Sequence, residues 1–167
     1  MRICGIDPGL QVTGYGVIQW LGPRVKLVEA GTIETESGLF LGHRVLKIYR
    51  CVCELLDEFQ PELLAMEALY AHYEHPRTAI VMGHARGAIL LAAAERSIPV
   101  QGYMPTRVKK SLTGNGGASK QQVQRAVQHA LSLKSPPTPY DVSDALAAAL
   151  CHGNVMSKGL KKGTSYV

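Results

Sequence analysis

Four acidic residues stand where apolar segments of the sequence end or begin. Asp7 closes the first apolar run, and Glu67 closes a second one. Asp141 and Asp144 are three residues apart at the start of the last predicted helix, so they share one helix face. A carboxylate at the edge of a buried strand is costly unless it is paired, hydrogen-bonded or bound to a cation. These four acids are therefore the candidate catalytic residues.

The chemistry that four such carboxylates support is metal-dependent. Carboxylates gathered in one site repel one another unless cations lie among them, and ligand sets made only of oxygen favour Mg²⁺ or Mn²⁺. Two such ions about 4 Å apart can clamp an in-line displacement at phosphorus. We therefore expect Asp7, Glu67, Asp141 and Asp144 to bind two Mg²⁺ ions, for which Mn²⁺ can substitute, and to hydrolyse a phosphodiester.

Three of the acids also have an interpretation without chemistry. Asp7 could form an Asx turn with the backbone that follows it, and Glu67 could mark the exit of a strand into solvent. Asp141 could complete a reciprocal helix cap if Thr138 is the cap and Pro139 the first helical residue. This capping interpretation does not extend to the acid three residues farther on.

Positive charge is concentrated in the second part of the chain. Residues 1–95 carry 11 acidic residues and 8 Lys or Arg, for a net charge of −3. Residues 96–167 carry 10 Lys or Arg and 2 acidic residues, Asp141 and Asp144, for a net charge of +8. A region this basic is expected to bind a polyanion, and nucleic acid is the first candidate. A basic surface that is only solvated is the alternative.

A glycine-rich loop lies among these basic residues. Pro105 can begin one helix, the loop 114–117 follows it, and Ser119 can cap the next helix. Such a loop offers backbone N–H groups to a phosphate, and the nucleotide-binding pattern GxxxxGK[ST] is absent. The phosphate would then belong to a nucleic-acid backbone. The basic residues expected to contact DNA are Arg77, Arg107, Lys109, Lys110 and Lys120.

The loop that follows Glu67 combines aromatic and imidazole side chains. Tyr70 and a second tyrosine could stack on unpaired bases, or could only pack within the loop. The spacing of His72 and His75 resembles half of a zinc site, but no Cys or third ligand accompanies the pair. We therefore assign them no metal role.

The predicted elements suit one α/β domain. Three strands, at residues 1–7, 13–20 and 24–34, form an antiparallel meander, followed by a helix at 39–59 and a strand at 63–68. A helix predicted at 77–96 is apolar nearly all round and therefore needs cover on two sides. We expect its segment 80–94 to form the contact of a homodimer. A short strand is predicted at 98–100.

The length of 167 residues favours a single core. We expect one nuclease domain at residues 1–156 and a flexible basic tail at 157–167. No segment is long and apolar enough to span a bilayer and no secretory leader is apparent, so we expect a cytoplasmic protein. The four cysteines lack CxxC spacing and are expected to be buried, reduced thiols.

Several short motifs together resemble the RuvC family of Holliday-junction resolvases, and the match extends to about Met156. In this sequence they are Ile3-Cys4-Gly5-Ile6-Asp7-Pro8-Gly9, Thr13-Gly14-Tyr15-Gly16, Met66-Glu67, Ala85-Arg86-Gly87, Gly114-Asn115-Gly116, Lys120, and residues 141–147. The order and spacing of these motifs are more specific than any one of them. The sequence departs from the family pattern at His75, where Asn is frequent, and at His84, where Gln is usual. The loop around His75 is also one residue longer than in some members, which bears on base preference more than on chemistry.

The resemblance implies a ribonuclease-H-like fold, with a five-stranded mixed sheet flanked by helices on both sides, assembled as a homodimer. By position, Asp7, Glu67, Asp141 and Asp144 match the family's catalytic acids, with the first expected to touch both metal ions. The family's DNA-backbone lysines and its base-stacking aromatic correspond to Lys109, Lys120 and Tyr70. The family also works with a branch-migration complex of a junction-binding protein and a ring ATPase.

The implied function is a structure-specific endonuclease that resolves four-way DNA junctions by paired, symmetric hydrolysis during recombination and repair. A symmetric dimer suits a junction with approximate two-fold symmetry. Two rival interpretations remain. Asp7, Gly9 and Thr13 also resemble the opening of sugar kinases and actin-like ATPases, which need a second lobe. The protein could also bind junctions without cutting them, with carboxylates that only support the fold.

Overall fold

The computed structural model describes residues 1–68 and 76–157, and within them the chain forms five strands and five helices. In chain order these are β1 (Arg2–Asp7), β2 (Val12–Leu21), β3 (Arg24–Glu34), α1 (Leu41–Phe59), β4 (Leu63–Glu67), α2 (Pro76–Glu95), β5 (Val100–Tyr103), α3 (Pro105–Thr113), α4 (Lys120–Ala130) and α5 (Tyr140–Ser157). The strand order is β3-β2-β1-β4-β5. The first three strands pair antiparallel, while β4 pairs parallel with both β1 and β5. The predicted mixed sheet is confirmed.

Two apolar cores lie on opposite faces of the sheet. On one face, α3, α4 and α5 pack against alternate strand residues such as Ile3 and Ala65. On the other face, α1 and α2 cover the intervening residues, such as Cys4 and Met66. Because side chains alternate along a strand, a residue two positions beyond Ile3 or Ala65 faces the α5 side. The central strands β1 and β4 are therefore buried on both faces, which is typical of strands that pair parallel, whereas β3 is largely exposed.

Glycines allow α5 to lie directly on β1 and β2. A Cβ atom at Gly5 would collide with the backbone carbonyl of Ala145, and one at Gly14 would collide with the backbone of Asp141. Both positions lack a side chain, so helix backbone meets strand backbone. The start of α5 is thereby held against β1, which carries Asp7, and against its neighbour β2.

Most element boundaries agree with the sequence prediction to within two residues, and two of the differences have a clear local cause. The last strand was expected at 98–100 but begins at Val100, because Pro99 has no N–H to pair and Ser97 takes a positive φ of 54° in the turn after α2. Thr138 was expected to cap α5, but the helix begins at Tyr140, after a cis Thr138–Pro139 bond. The carbonyl of Pro139 accepts the first helical N–H groups, so Asp141 is the second helical residue rather than the third.

The expectation that all four thiols are buried was half right. Cys4 and Cys151 are buried free thiols, whereas Cys51 and Cys53 are half-buried on α1 and also unpaired. Residues 51 and 53 lie on a helix that covers the sheet with one face only, so part of that helix meets solvent.

The helix α2 covers the sheet with one side and exposes apolar residues on the other. Ala85, Ile89 and Ala92 are buried in the core. Ile80 and Leu91 leave 62% and 55% of their surface exposed. Within residues 1–68 and 76–157, no helix is long and apolar enough to cross a membrane. The predicted basic tail lies outside the described residues, apart from Ser157 at the end of α5.

Candidate active site

The carboxyl ends of β1 and β4 bring the first two acids side by side. The strands are parallel neighbours, and Ile6 pairs with Met66 at the end of their register. Asp7 is the residue after Ile6 and Glu67 is the residue after Met66, so both lie at the carboxyl ends of these parallel strands, on the same edge of the sheet. The alternation of side chains directs both to the face that α5 covers. Two residues 60 positions apart in sequence thus share one site.

The first turn of α5 supplies the other two acids. Gly14 is the β2 partner of Asp7, and its missing side chain is what lets the backbone of Asp141 lie against this strand. Asp144 lies three residues farther on, on the same face of the helix. All four predicted carboxylates are therefore brought to one place by three elements.

The electrostatics of Asp7 show how close the acids are. Burial, followed by the charges of Asp144, Glu67 and Asp141, raises the pKa of Asp7 from 3.8 to about 7, while Lys120 acts in the opposite direction. Burial penalises the ionised form, and like charges penalise it further. A carboxylate in this position gains more than an ordinary one from a nearby cation.

The same pattern holds for two of the other acids. Burial and then the charge of Asp144 raise the pKa of Glu67, against the lowering effect of Lys109 and Lys120. Burial also raises the pKa of Asp144, partly offset by Lys120 and Lys109. The site therefore combines four acids with two lysines, both of which were expected from sequence to contact DNA.

Lys120 occupies the entrance of the acid cluster. Its Nζ lies 3.5 Å from Oδ2 of Asp144 and 5.7 Å from the centre of the Tyr140 ring. The predicted cap of α4 is confirmed, since Ser119, directly before this lysine, forms a reciprocal capping box with Gln122, two residues after it. The cap fixes the start of α4 and hence the position from which the lysine side chain extends.

The turn after Asp7 is closed by a residue other than the aspartate. The hydroxyl of Thr13 donates to the carbonyl of Gly9 at 2.6 Å, and that of Thr35 donates to the carbonyl of Leu10 at 2.6 Å. Among the described residues, the Asp7 carboxylate accepts no hydrogen bond from this turn. The Asx-turn interpretation is therefore not supported, and the carboxylate remains available to a ligand.

The donor set fits hard divalent cations. It consists of carboxylate oxygens, which are the ligands that such ions prefer. One positive charge, the ammonium group of Lys120, already forms an ion pair with Asp144. Within residues 1–68 and 76–157, the structure contains no group of three Asp, Glu, His or Cys side chains close enough together to hold a metal ion. The residues that would hold such ions are Asp7, Glu67, Asp141 and Asp144, whose mutual repulsion the ions would offset.

The other predicted DNA contacts are distributed around the site. The Arg107 guanidinium lies 5.6 Å from the centre of the Tyr103 ring, whose hydroxyl is 2.6 Å from Nδ1 of His152. Lys110 is exposed on the last turn of α3. The predictions for Tyr70, the two loop histidines and the side chain of Arg77 fall outside the described residues.

Sequence reasoning assigned no role to two residues that the structure places near the acids. Tyr140 lies under the Lys120 ammonium group. Arg86 is buried in the α2 core, and its Nη1 donates to the backbone carbonyl of Glu67 at 2.7 Å. The sequence could have drawn attention to Arg86, because it is a charged residue within an otherwise apolar helix. It could not have shown that Arg86 bonds to the carbonyl of Glu67.

Comparisons with known proteins give matches over most of the chain. The family described as crossover junction endodeoxyribonuclease RuvC matches residues 3–152. A crossover junction endodeoxyribonuclease RuvC from Rhodopirellula baltica is 52% identical over 149 residues, which cover 89% of this chain and 84% of the relative. The matched segment includes all four candidate acids.

Two solved structures share the fold. Thermus thermophilus RuvC superposes with a TM-score of 0.88 at 36% identity, covering 95% of this chain and 97% of that one. T. thermophilus RuvC in complex with a Holliday junction substrate superposes with a TM-score of 0.89 at 36% identity, with coverage of 95% and 96%. The fold is therefore ribonuclease-H-like, as expected from the sequence. The chain belongs to the RuvC family of crossover junction endodeoxyribonucleases.

Proposed function

We propose that this protein is a structure-specific endonuclease that resolves four-way Holliday junctions by metal-dependent hydrolysis of phosphodiesters, in DNA recombination and repair. The observation that carries this proposal is the meeting of Asp7, Glu67, Asp141 and Asp144 at one sheet edge beside Lys109 and Lys120. Acids suited to metal ions and lysines suited to phosphate are thereby neighbours. Membership of the family, and a relative solved with a junction substrate, support the choice of DNA structure.

The four acids are the proposed metal ligands. Asp7, at the centre of the cluster, would touch both of two Mg²⁺ ions, with Glu67, Asp141 and Asp144 completing the ligand set; Mn²⁺ would substitute. When bound, the ions would activate a water molecule and stabilise the leaving oxygen. The chain itself holds the carboxylates close together, so that their ionised forms are favoured when cations bind, and keeps Lys120 near enough to offset part of their negative charge.

The basic residues would bind the DNA backbone. Lys109 and Lys120 are nearest the acids, so they would hold phosphates beside the reacting one. Arg107 and Lys110 on α3, together with Arg77, would extend this contact away from the site. Tyr70 would stack on a base at the opened crossover. A junction bound in this way would be positioned by its backbone more than by its sequence.

A homodimer would deliver two cuts to one junction. The exposed apolar side of α2, with Ile80 and Leu91, supports this assembly because such residues are stabilised by a second copy of the same surface. Two active sites related by a two-fold axis would then cut strands of like polarity. We further propose that the dimer works in the cytoplasm on chromosomal DNA, with a branch-migration complex of a junction-binding protein and a ring ATPase.

A junction-cleavage assay tests the catalytic proposal. The wild-type protein should nick a synthetic four-way junction when Mg²⁺ is present and should leave it intact in EDTA. Asp7→Asn should bind the junction with affinity close to that of the wild type and should cut it at less than about one hundredth of the rate, because a central ligand is lost. Products are resolved on denaturing gels, and binding is measured by mobility shift.

The control is an acid far from the cluster. Glu58 is exposed on α1, on the opposite face of the sheet, so Glu58→Gln should cut as the wild type does. Full cleavage by Asp7→Asn would refute the proposed active site. Binding of the junction by the wild type without any Mg²⁺-dependent cutting would favour the alternative of a non-catalytic junction-binding protein.

A further inference from the structure

The backbone carbonyl of Glu67 lacks its expected partner in the sheet. The N–H groups of Leu64 and Ala68 donate to the carbonyls of Pro99 and Tyr103 on the β5 side, at 3.0 Å and 2.7 Å. Backbone groups alternate in direction along a strand, so residues 65 and 67 direct theirs toward β1. Glu67 is one of these residues. Continuing the register Ile6 to Met66 sets it opposite Asp7, and a parallel ladder then requires the N–H of residue 8 to donate to the Glu67 carbonyl.

Residue 8 is a proline and has no N–H to donate. Pro8 is buried, so water does not readily take the place of the missing donor. An unsatisfied carbonyl in the interior is destabilising, because its hydrogen bonds to water are lost and not replaced. It would also leave the last residue of β4 attached to the sheet on one side only, at the position that carries a candidate metal ligand.

Arg86 supplies the missing donor from the other face of the sheet. It lies on α2, where only 9% of its surface is exposed, between the core residues Ala85 and Ala88. Its Nη1 donates to the Glu67 carbonyl at 2.7 Å. The basic residues that lower the pKa of the Glu67 carboxyl group are instead Lys109 and Lys120. Arg86 therefore acts on the main chain of Glu67, while the lysines act on its side chain.

We propose that Arg86 is a positioning residue for the active site, which replaces the hydrogen bond that Pro8 cannot make and thereby fixes the Glu67 carboxylate relative to Asp7. The inference rests on the proposed function, because it treats both acids as metal ligands. A guanidinium group is suited to this task because it stays charged when buried and reaches the carbonyl from an adjacent helix. The residue touches neither metal nor DNA in this role.

The first experiment separates positioning from binding. Arg86→Met removes the donor but keeps an unbranched side chain in the core. The single-turnover rate of junction cleavage should fall by about 10–100-fold, the range found when a residue that orients a metal ligand is lost. The Mg²⁺ concentration that gives half of the metal-induced rise in Tm should increase several-fold, whereas junction affinity in EDTA should change by less than about twofold.

Arg96→Met is the matched control. Arg96 follows α2, and it pairs with the exposed Asp57 at 2.6 Å, far from the acid cluster. Its replacement should leave both the cleavage rate and the Mg²⁺ midpoint unchanged. Arg86→Lys keeps a charged donor of shorter reach and should fall between the wild type and Arg86→Met.

The second experiment restores the missing donor by another route. Pro8→Ala returns an N–H to residue 8, so adding it to Arg86→Met should recover at least about half of the lost activity on a logarithmic scale, and should return the Mg²⁺ midpoint toward that of the wild type. The single variant Pro8→Ala completes the double-mutant cycle, since it measures the effect of this substitution when Arg86 is present. If Arg86→Met does not fold, the same recovery is required of Pro8→Ala in the Arg86→Lys background.

The outcomes distinguish this inference from the function on which it rests. A wild-type protein that does not cut junctions refutes the proposed function. If the wild type cuts, the positioning role is overturned by an Arg86→Met protein with wild-type rate and Mg²⁺ midpoint. It is also overturned by a variant that loses stability with an unchanged midpoint, or by a double variant in which Pro8→Ala recovers nothing.

Discussion

Asp7 occupies a position that favours the neutral form of its carboxyl group. The pKa is raised to about 7 by burial and by three neighbouring carboxylates. The unfolded chain has no such cluster, and there the group ionises near its ordinary value of 3.8. Folding without metal therefore works against ionisation of this group. The arrangement that prepares the site for cations destabilises the protein in their absence.

The pH dependence follows from the raised pKa. The folded protein binds this proton more tightly than the unfolded chain, so stability is unimpaired below pH 3.8 and decreases as pH rises toward about 7. In EDTA at pH 8, Asp7→Asn should therefore raise the free energy of unfolding, by on the order of 3 kcal/mol. At pH 4 the two proteins should differ little. Urea denaturation at both pH values measures the effect.

Asp57→Asn provides a comparison of opposite sign. The hydrogen bond from Arg96 lowers the pKa of Asp57, so its ionised form stabilises the fold above the ordinary pKa. This variant should lose stability at pH 8, where Asp7→Asn gains it. An Asp7→Asn protein that is less stable than the wild type in EDTA at pH 8 would contradict the proposed electrostatic strain.

Lys120 lies beside the acid cluster and is one of the residues that we propose to bind the DNA backbone. Its Nζ lies 3.5 Å from Asp144, although 67% of its side chain remains exposed. For Lys120→Ala we expect weaker junction binding and a plot of log affinity against log salt that is shallower by about one unit, since one phosphate contact is lost. Titrations between low and moderate salt measure the slope. An unchanged slope would remove Lys120 from the DNA contact.

At this scale the sequence predicted the acids and the lysines that the structure brings together, but not the arginine that contacts Glu67. Acids at the ends of apolar runs are visible in the sequence because burial makes them costly. The role of Arg86 depends on a carbonyl left without a donor by Pro8, which becomes visible only when the register of β1 and β4 is known. Hydrogen bonds to the main chain leave little trace in composition.

Among the elements, α5 sets the geometry of the site through its contact with β1 and β2. Gly14→Ala would place a methyl group against the backbone of Asp141, which forces the first turn of the helix outward. We expect a loss of about 1–3 kcal/mol in stability. Displacement by about 1 Å should also lower the cleavage rate by about 100-fold. Thermal unfolding and the junction-cleavage assay measure the two effects.

Gly38→Ala is the matched control for this change. A Cβ atom at Gly38 meets no atom of the described residues within 4 Å. Its φ also lies outside the range that favours glycine, so the substitution should leave stability and cleavage unchanged. Wild-type cleavage by Gly14→Ala would show that the helix start tolerates displacement, and that the glycine is not required for the site.

Elements with a strong apolar pattern were predicted well, and their ends less so. The third strand was predicted at its observed bounds, and α1 within two residues, because long periodic runs define burial. The errors at β5 and at the start of α5 both lie next to prolines, which have no N–H to pair. Those effects depend on tertiary context.

For the whole molecule, the exposed apolar side of α2 makes a prediction about assembly. Leu91→Glu places a charge on this surface, where burial against a second copy would be unfavourable. The variant should sediment as a monomer at concentrations where the wild type is a dimer. It should also lose the paired cuts that resolve one junction and release nicked products instead. Sedimentation and cleavage of a supercoiled plasmid with an extruded junction measure both.

Leu21→Glu controls for the added charge. Leu21 is 50% exposed at the end of β2, away from α2, and its replacement should preserve both the dimer and the paired cuts. A Leu91→Glu protein that remains a dimer would require a different interface. If Leu91→Glu dissociates into monomers but still makes paired cuts, the pairing of the cuts does not depend on this dimer.

The glycine contact beneath α5 has a consequence for how this fold changes over time. Since main chain meets main chain at Gly5 and Gly14, the spacing of the acids depends little on which apolar side chains fill the two cores. Substitutions that conserve volume in either core should therefore change stability more than they change the spacing of the acids. A side chain added at Gly5 or Gly14 should change that spacing directly, because it would push the helix backbone away from the strands.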